Sequence, residues 1–175
     1  MTILVTLIGL LGLQFRAIND KIRTIITRAN ASSPKIIVTS DVCADRLRRL
    51  AKVHYNLCTV GKRINSFFDL DVIINVITAF VILSTTLYYI FVEVHQDGKT
   101  NYIRIVKYIQ IELVHSLPII VIVAICNWTT HQSIHTGNLI HEIRIEKIDS
   151  RLYEAVKSFS LQLHHQKLEF TAGGF

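Results

Sequence analysis

Val72–Val92 reads VIINVITAFVILSTTLYYIFV, twenty-one consecutive residues without a charge. A helix of about 20 apolar residues crosses the hydrocarbon core of a bilayer. Asn75, Thr78 and the Ser84-Thr85-Thr86 cluster fit such a helix because their side chains can bond to the backbone or to a neighbouring helix. Tyr88 and Tyr89 lie near its end, where aromatic rings favour the interface. The stretch is read as a transmembrane helix within residues 67–93, and it sets the fold class: an all-α, multi-span helical membrane protein. Composition agrees, since half of the 175 residues are hydrophobic, only 18% are charged and mean hydropathy is +0.39. That balance is too oily for an ordinary soluble domain.

Two further runs flank it. Ile111–Trp128 (IELVHSLPIIVIVAICNW) is read as a span over 109–128, starting near Tyr108 and anchored at the interface by Trp128. Pro118 removes one helical hydrogen bond and is expected to kink it. Met1–Phe15 (MTILVTLIGLLGLQF) is too short to cross alone. It lacks the charged start and small-residue cleavage site of a signal peptide. With Arg16 and Lys21 directly after it, residues 1–15 are read as the end of a transmembrane helix.

The charge is uneven. Residues 16–66 hold eleven of the nineteen Lys and Arg against three acids; the stretch between the second and third spans holds three, and the rest of the chain five. Basic connectors beside apolar spans mark the cytoplasmic side. Residues 16–66 (a loop and a helix) and 129–175 are therefore expected in the cytoplasm, with 94–108 as a short extracellular loop. Nucleic-acid binding is set aside because no stacking or zinc motif accompanies the basic stretch; membrane lipid is the partner this pattern fits. Two sequons, Asn30-Ala31-Ser32 and Asn127-Trp128-Thr129, fall on the cytoplasmic side of this topology and are expected to stay bare; a glycan on Asn30 would reverse it. Cys43, Cys58 and Cys126 form no CxxC pair and are odd in number, which argues against a disulfide framework.

Residues 29–34 read as a polar break, with Ser40-Asp41 as an N-cap. From there Leu47, Leu50, Val53, Leu57, Val60, Ile64 and Phe67 recur every three or four residues, one apolar stripe running straight into the second span. A long helix projecting below the membrane follows, with Gly61 as its weakest point. Later, Ile145, Ile148, Leu152, Ala155 and Phe159 alternate in steps of three and four. Two heptads fit packing against residues 47–67, or against another subunit.

Ionisable residues inside a span are costly and so are candidates for function. Glu112 and His115 share a face of the third span and, with Tyr88 and Tyr89 on the facing helix, outline a small-molecule pocket. The competing reading has Glu112 reaching outer water and the tyrosines in an aromatic belt. His131, His135 and His141 lack the HExxH pattern and a third ligand at firm spacing, so no metal or cofactor is expected. No nucleophile–base arrangement or phosphate loop is found, and no enzyme activity is expected.

The ending FSLQLHHQKLEFTAGGF, Phe159–Phe175, resembles the cytoplasmic segment before the final helix of insect gustatory receptors. Their pattern runs Phe-Ser-Leu-Gln-Leu-Leu-His, a spacer, then Phe-Thr-Ala-Cys-Gly-Phe-Phe. Phe159, Ser160, Leu161, Gln162, Leu163, His165, Phe170, Thr171, Ala172, Gly174 and Phe175 match it; His164 replaces a Leu and Gly173 a Cys. Leu47–Ile77 is similar to the family's approach to its fifth helix through His54, Leu57, Cys58, Ile64 and Asn65. The resemblance implies a seven-helix receptor with a cytoplasmic N-terminus, of which this chain supplies the end of helix four, helices five and six and the cytoplasmic start of helix seven. It further implies a tastant-gated cation channel at the plasma membrane, assembled as a homo- or hetero-tetramer around helix seven. The family's Thr-Tyr, five residues, Gln-Phe signature is missing, since residues 7 and 8 before Gln14-Phe15 are Leu and Ile. The chain is thus expected to be a receptor fragment without its last helix. A truncated non-conducting accessory subunit, or a small three-span membrane protein, is the alternative.

Overall fold

The computed structural model describes residues 2–30, 36–95, 102–143 and 150–171. Among these residues the regular structure is α-helical throughout: α1 (Thr2–Asn30), α2 (Ile36–His95), α3 (Tyr102–His141) and α4 (Ser150–His165). Three of the four, α1 to α3, contain stretches long and apolar enough to cross a membrane. At 1.5 Å per residue the 60-residue α2 is about 90 Å long, roughly three times the hydrocarbon thickness. With Val72–Val92 in lipid, its first half must project beyond the bilayer.

α1 does not stop at Phe15. Leu4, Ile8, Leu11, Phe15, Ile18, Ile22, Ile25 and Ile26 are all buried, a seam that continues past Arg16 and Lys21 as far as Ile26, and the helix itself runs to Asn30. It packs most extensively on α3, and glycine sets how closely. A Cβ on Gly12 would meet the Trp128 ring and lie 2.7 Å from Thr129 Oγ1. The close crossing lets Thr129 Oγ1 donate to the Ile8 carbonyl at 3.1 Å. Further along, Asn19 donates to the Gln132 carbonyl at 2.9 Å and accepts from Thr136 at 2.7 Å.

α2 runs unbroken into the second span, as the apolar stripe predicts, but three details differ. It starts at Ile36, so Ser40 and Asp41 are not a cap. No Gly or Pro interrupts Ile36–Thr39, and the Asp41 carboxylate instead receives Arg151 of α4 at 3.1 and 3.2 Å. The buried face is turned by one residue from the expected stripe. Leu47, Ala51, His54, Cys58 and Gly61 face inward, while Val53 and Val60 are exposed and Phe67 is 79% exposed. The neighbours come so close that small and hydrogen-bonding residues, rather than the largest apolar ones, fit between them. Gly61 is accordingly a packing site and not a weak point: a Cβ there would lie 2.6 Å from Leu168 and 3.0 Å from Leu11.

Leu152, Ala155 and Phe159 of α4 are buried, with Val156, in one core with Leu47 and Ala51 of α2, the intramolecular packing that their spacing suggests. Ile145 and Ile148 lie outside the described residues. Toward the α2–α3 hairpin the picture changes: only 6% of the most apolar windows of α2 and α3 is buried within the chain. There Asn75, Thr78, Ser84 and Thr85 donate to carbonyls four residues back at 2.6–2.9 Å, which removes their cost in lipid. α3 begins at Tyr102, before the expected start, and continues through Pro118. Arg104 meets Glu93 across the hairpin at 3.5 Å.

Candidate functional site

The C-terminal motif docks along α2. α4 ends at His165 and the chain continues through Gln166–Thr171 without regular structure, held at three points. Gln162 donates to the Ala51 carbonyl at 2.8 Å. Leu168, 2% exposed, lies on the bare backbone of Gly61. Asn65 closes the joint twice: its Oδ1 accepts the Thr171 backbone N–H at 3.2 Å and its Nδ2 donates to Thr171 Oγ1 at 3.3 Å. From Ala51 to Asn65 the anchors span about 21 Å of helix. Phe170 packs beside Leu4, Ile8 and Ile122. At this end a hollow of about 380 Å³ opens between α1, α2, α3 and the tail, with Asn65, Asp69 and Thr171 on its wall.

Behind the joint sits His54, 1% exposed. Phe15 of α1 and Phe159 of α4 present edges to its ring at 5.1 and 5.8 Å. Nε2 is 3.4 Å from Ser133 Oγ and Nδ1 is 3.6 Å from Cys58 Sγ. A neutral imidazole suits this pair, because one nitrogen donates, the other accepts, and a hydroxyl and a thiol can each take either part. Burial pulls the His54 pKa down to about 4, against a smaller opposing effect of the Ser133 hydrogen bond. Burial likewise pushes the Cys58 thiol up, so Cys58 is not an activated nucleophile. His54 ties all four helices together as an uncharged polar node.

The four residues outlined as a ligand pocket lie at the hairpin end of α2 and α3. Tyr88 is exposed and Tyr89 stacks on Tyr108 with ring centroids 5.7 Å apart. Glu112, one turn beyond Tyr108, has Oε2 buried without a hydrogen-bond partner. His115 opens instead to a separate hollow with Lys107, Gln110, Ile111 and Val114. Of the other histidines, His135 Nε2 lies 3.5 Å from Arg23, while His131, His141, His164 and His165 are exposed. Among the described residues no group of three His, Cys, Asp or Glu is placed to hold a metal.

The motif residues divide by task. Phe159, Gln162, Asn65 and Thr171 make the contacts above, and Phe170 fills the end of the joint. Leu57 and Leu163 flank the main core, Ser160 is half-buried and Leu161 and His165 face outward. Gly174 and Phe175 lie outside the described residues. A family model described as 7tm Chemosensory receptor matches residues 1–175. The chain belongs to the 7tm chemosensory receptor family. That is a receptor family and not an enzyme family. Among curated Drosophila melanogaster proteins it is similar to "Putative gustatory receptor 28b", 25% identical over 164 residues, and to "Gustatory receptor for bitter taste 66a", 27% identical over 135 residues. These alignments cover 91% and 75% of the chain but only 34% and 26% of the relatives, so it spans about a third of their length or less. The match to the chemosensory receptor family runs through the joint and through the helices that position it.

Two contributors escaped sequence reading. Ser133 is a single hydroxyl seventy-nine residues from His54, with no local signal. Tyr108 could have been found, because four residues place it directly below Glu112 on a helix.

Proposed function

We propose that the chain is part of a gustatory receptor subunit, a tastant-gated cation channel of the plasma membrane assembled as a tetramer, with the bundle of α4 and the first half of α2 in the cytoplasm. The observation that carries the reading is the triple anchorage of α4 and the tail on α2. The outer part of α2 lies in lipid with little support from this chain, and its inner part grips the C-terminal segment as far as Thr171. A tilt or shift of α2 driven by ligand is thereby passed to whatever follows Thr171. A ligand acts this way only by binding one arrangement more tightly than the other. The clustering of Lys and Arg in residues 16–66 supports the orientation.

The test is calcium influx in cells expressing the protein from its complete transcript, challenged with a panel of bitter and sweet compounds. Influx is expected, and Asn65→Ala should depress it while surface expression persists, because the half-buried Thr171 N–H loses its acceptor at a cost of about 1–3 kcal/mol. Equal responses from both proteins would remove the joint from the gating path. No influx, with altered currents when a second gustatory receptor is co-expressed, would favour the non-conducting accessory subunit.

Glu112, with Tyr88, Tyr89 and His115, is proposed as the polar side of the ligand site. A buried carboxylate oxygen without a partner is costly, and a ligand hydroxyl or amine would satisfy it. Glu112→Gln should weaken responses to amine-bearing tastants by roughly tenfold through loss of a strong hydrogen bond, and His115→Gln less, since His115 borders the hollow with Lys107 and Gln110. Dose–response curves that coincide for wild type and both variants would exclude the assignment.

A further inference from the structure

One turn of α1 and one turn of α2 enclose a second hollow of about 380 Å³, walled by Lys21, Thr24, Arg46 and Arg49 over an apolar floor of Ile25 and Leu50. Its three cations come from two helices, and among the described residues no carboxylate lines it. The acids nearby on α2 are engaged elsewhere: Asp45 holds Arg48 at 3.4 Å and Asp41 holds Arg151 at 3.1 Å. Residues 28–40, between the two walls in sequence, contain no Asp or Glu. The Thr24 hydroxyl already donates to the Asp20 carbonyl at 3.0 Å, so Lys21, Arg46 and Arg49 are the available donors. Three like charges around one apolar-floored concavity focus a positive potential, and guanidinium forks match phosphate oxygens two at a time.

We infer that this groove binds a soluble phosphate-bearing small molecule, its phosphates on Lys21, Arg46 and Arg49 and its carbon ring on Ile25 and Leu50. The size argues against a peptide, since a hollow one helical turn long holds one ring and its substituents. The position argues against a lipid headgroup. Arg49 lies eighteen residues before Phe67 on an unbroken helix, about 27 Å from the start of the span.

Inositol hexakisphosphate is a suitable soluble probe, and vesicles of phosphatidylcholine with phosphatidylinositol bisphosphate are the lipid-borne one. Equilibrium binding is measured on the detergent-purified full chain for the first and on the chain reconstituted in the vesicles for the second. Saturable binding of the soluble probe is expected, weakening with salt. The triple variant Lys21→Gln, Arg46→Gln, Arg49→Gln should bind roughly tenfold or more weakly. Arg48→Gln, at a cation already paired with Asp45, should bind as wild type. All three altered side chains are exposed, so the fold should survive; if circular dichroism shows otherwise, Arg49→Gln alone supplies the comparison. Absence of saturable binding, equal binding by the triple variant and wild type, or binding only to the vesicles would each overturn the inference. Tighter binding of a phosphate-free acidic peptide than of the soluble probe would overturn it as well.

Discussion

Phe159→Ala should cost the inner bundle about 3–5 kcal/mol and lower its melting temperature in detergent by about 10 °C. Phe159 is 1% exposed and lies in the core that joins α4 to α2 with Leu47, Ala51, Leu152 and Ala155. Truncation leaves a void that cannot collapse cheaply, because each lining residue also belongs to a helix held elsewhere. Arg151 fixes one end of α4 on Asp41 and Gln162 fixes the other on Ala51. The ring also supplies one of the two aromatic edges around His54, so its loss lets water toward that imidazole. The tail should detach with α4, and limited proteolysis should cut near Gln166–Thr171 far sooner than in the wild type. A thermal shift of only a degree or two would mean that α4 is a passive attachment and that the joint does not depend on it.

The same residues show how much of this architecture is legible beforehand. That α2 and α3 hold stretches able to cross a membrane follows from their apolar runs, Val72–Val92 without a charge and Ile111–Trp128 with Glu112 near its start. The α4 seam follows from the spacing of Leu152, Ala155 and Phe159. What escapes is the identity of the face on α2. A search for large apolar residues selects Val53, Val60 and Phe67, yet these point outward, because apolar residues also occupy exposed helix positions and do not mark the core by themselves. The inward face is marked by residues that such a search skips: Ala51, His54, Cys58, Gly61 and Asn65. Each is there for closeness or for a hydrogen bond. The length of α1 is likewise hidden from hydropathy, which falls where Arg16 and Lys21 appear while the buried steps Phe15, Ile18 and Ile22 continue unchanged. The joint was legible as a motif and not as a mechanism. Asn65 and Thr171 stand 106 residues apart, and their pairing becomes visible only when the tail is laid along the helix.

His54 should make the bundle acid-sensitive. Its pKa lies near 4 in the folded chain and near 6.5 once unfolded. Between those values the unfolded chain binds the extra proton, so stability must rise with pH across the interval. Above about pH 6.5 the neutral imidazole is common to both states and the fold keeps its full stability. Descending from there toward pH 4 it should lose about 3 kcal/mol, and below pH 4 no more from this group. The loss is physical: protonation places a charge between Phe15 and Phe159, where among the described residues the neutral Ser133 and Cys58 are in hydrogen-bond reach. Protons can arrive through the hollow of about 550 Å³ between α3, α4 and the tail, which reaches His54 and is also lined by His141, His164, Lys167 and Glu169. Those groups lie exposed at the surface, so the informative quantity is a difference. Melting temperature against pH for wild type and for His54→Asn should give curves that converge toward pH 4, the variant being less stable near neutrality and less pH-dependent below it. Parallel curves over that range would show that His54 is not the group that acid reaches.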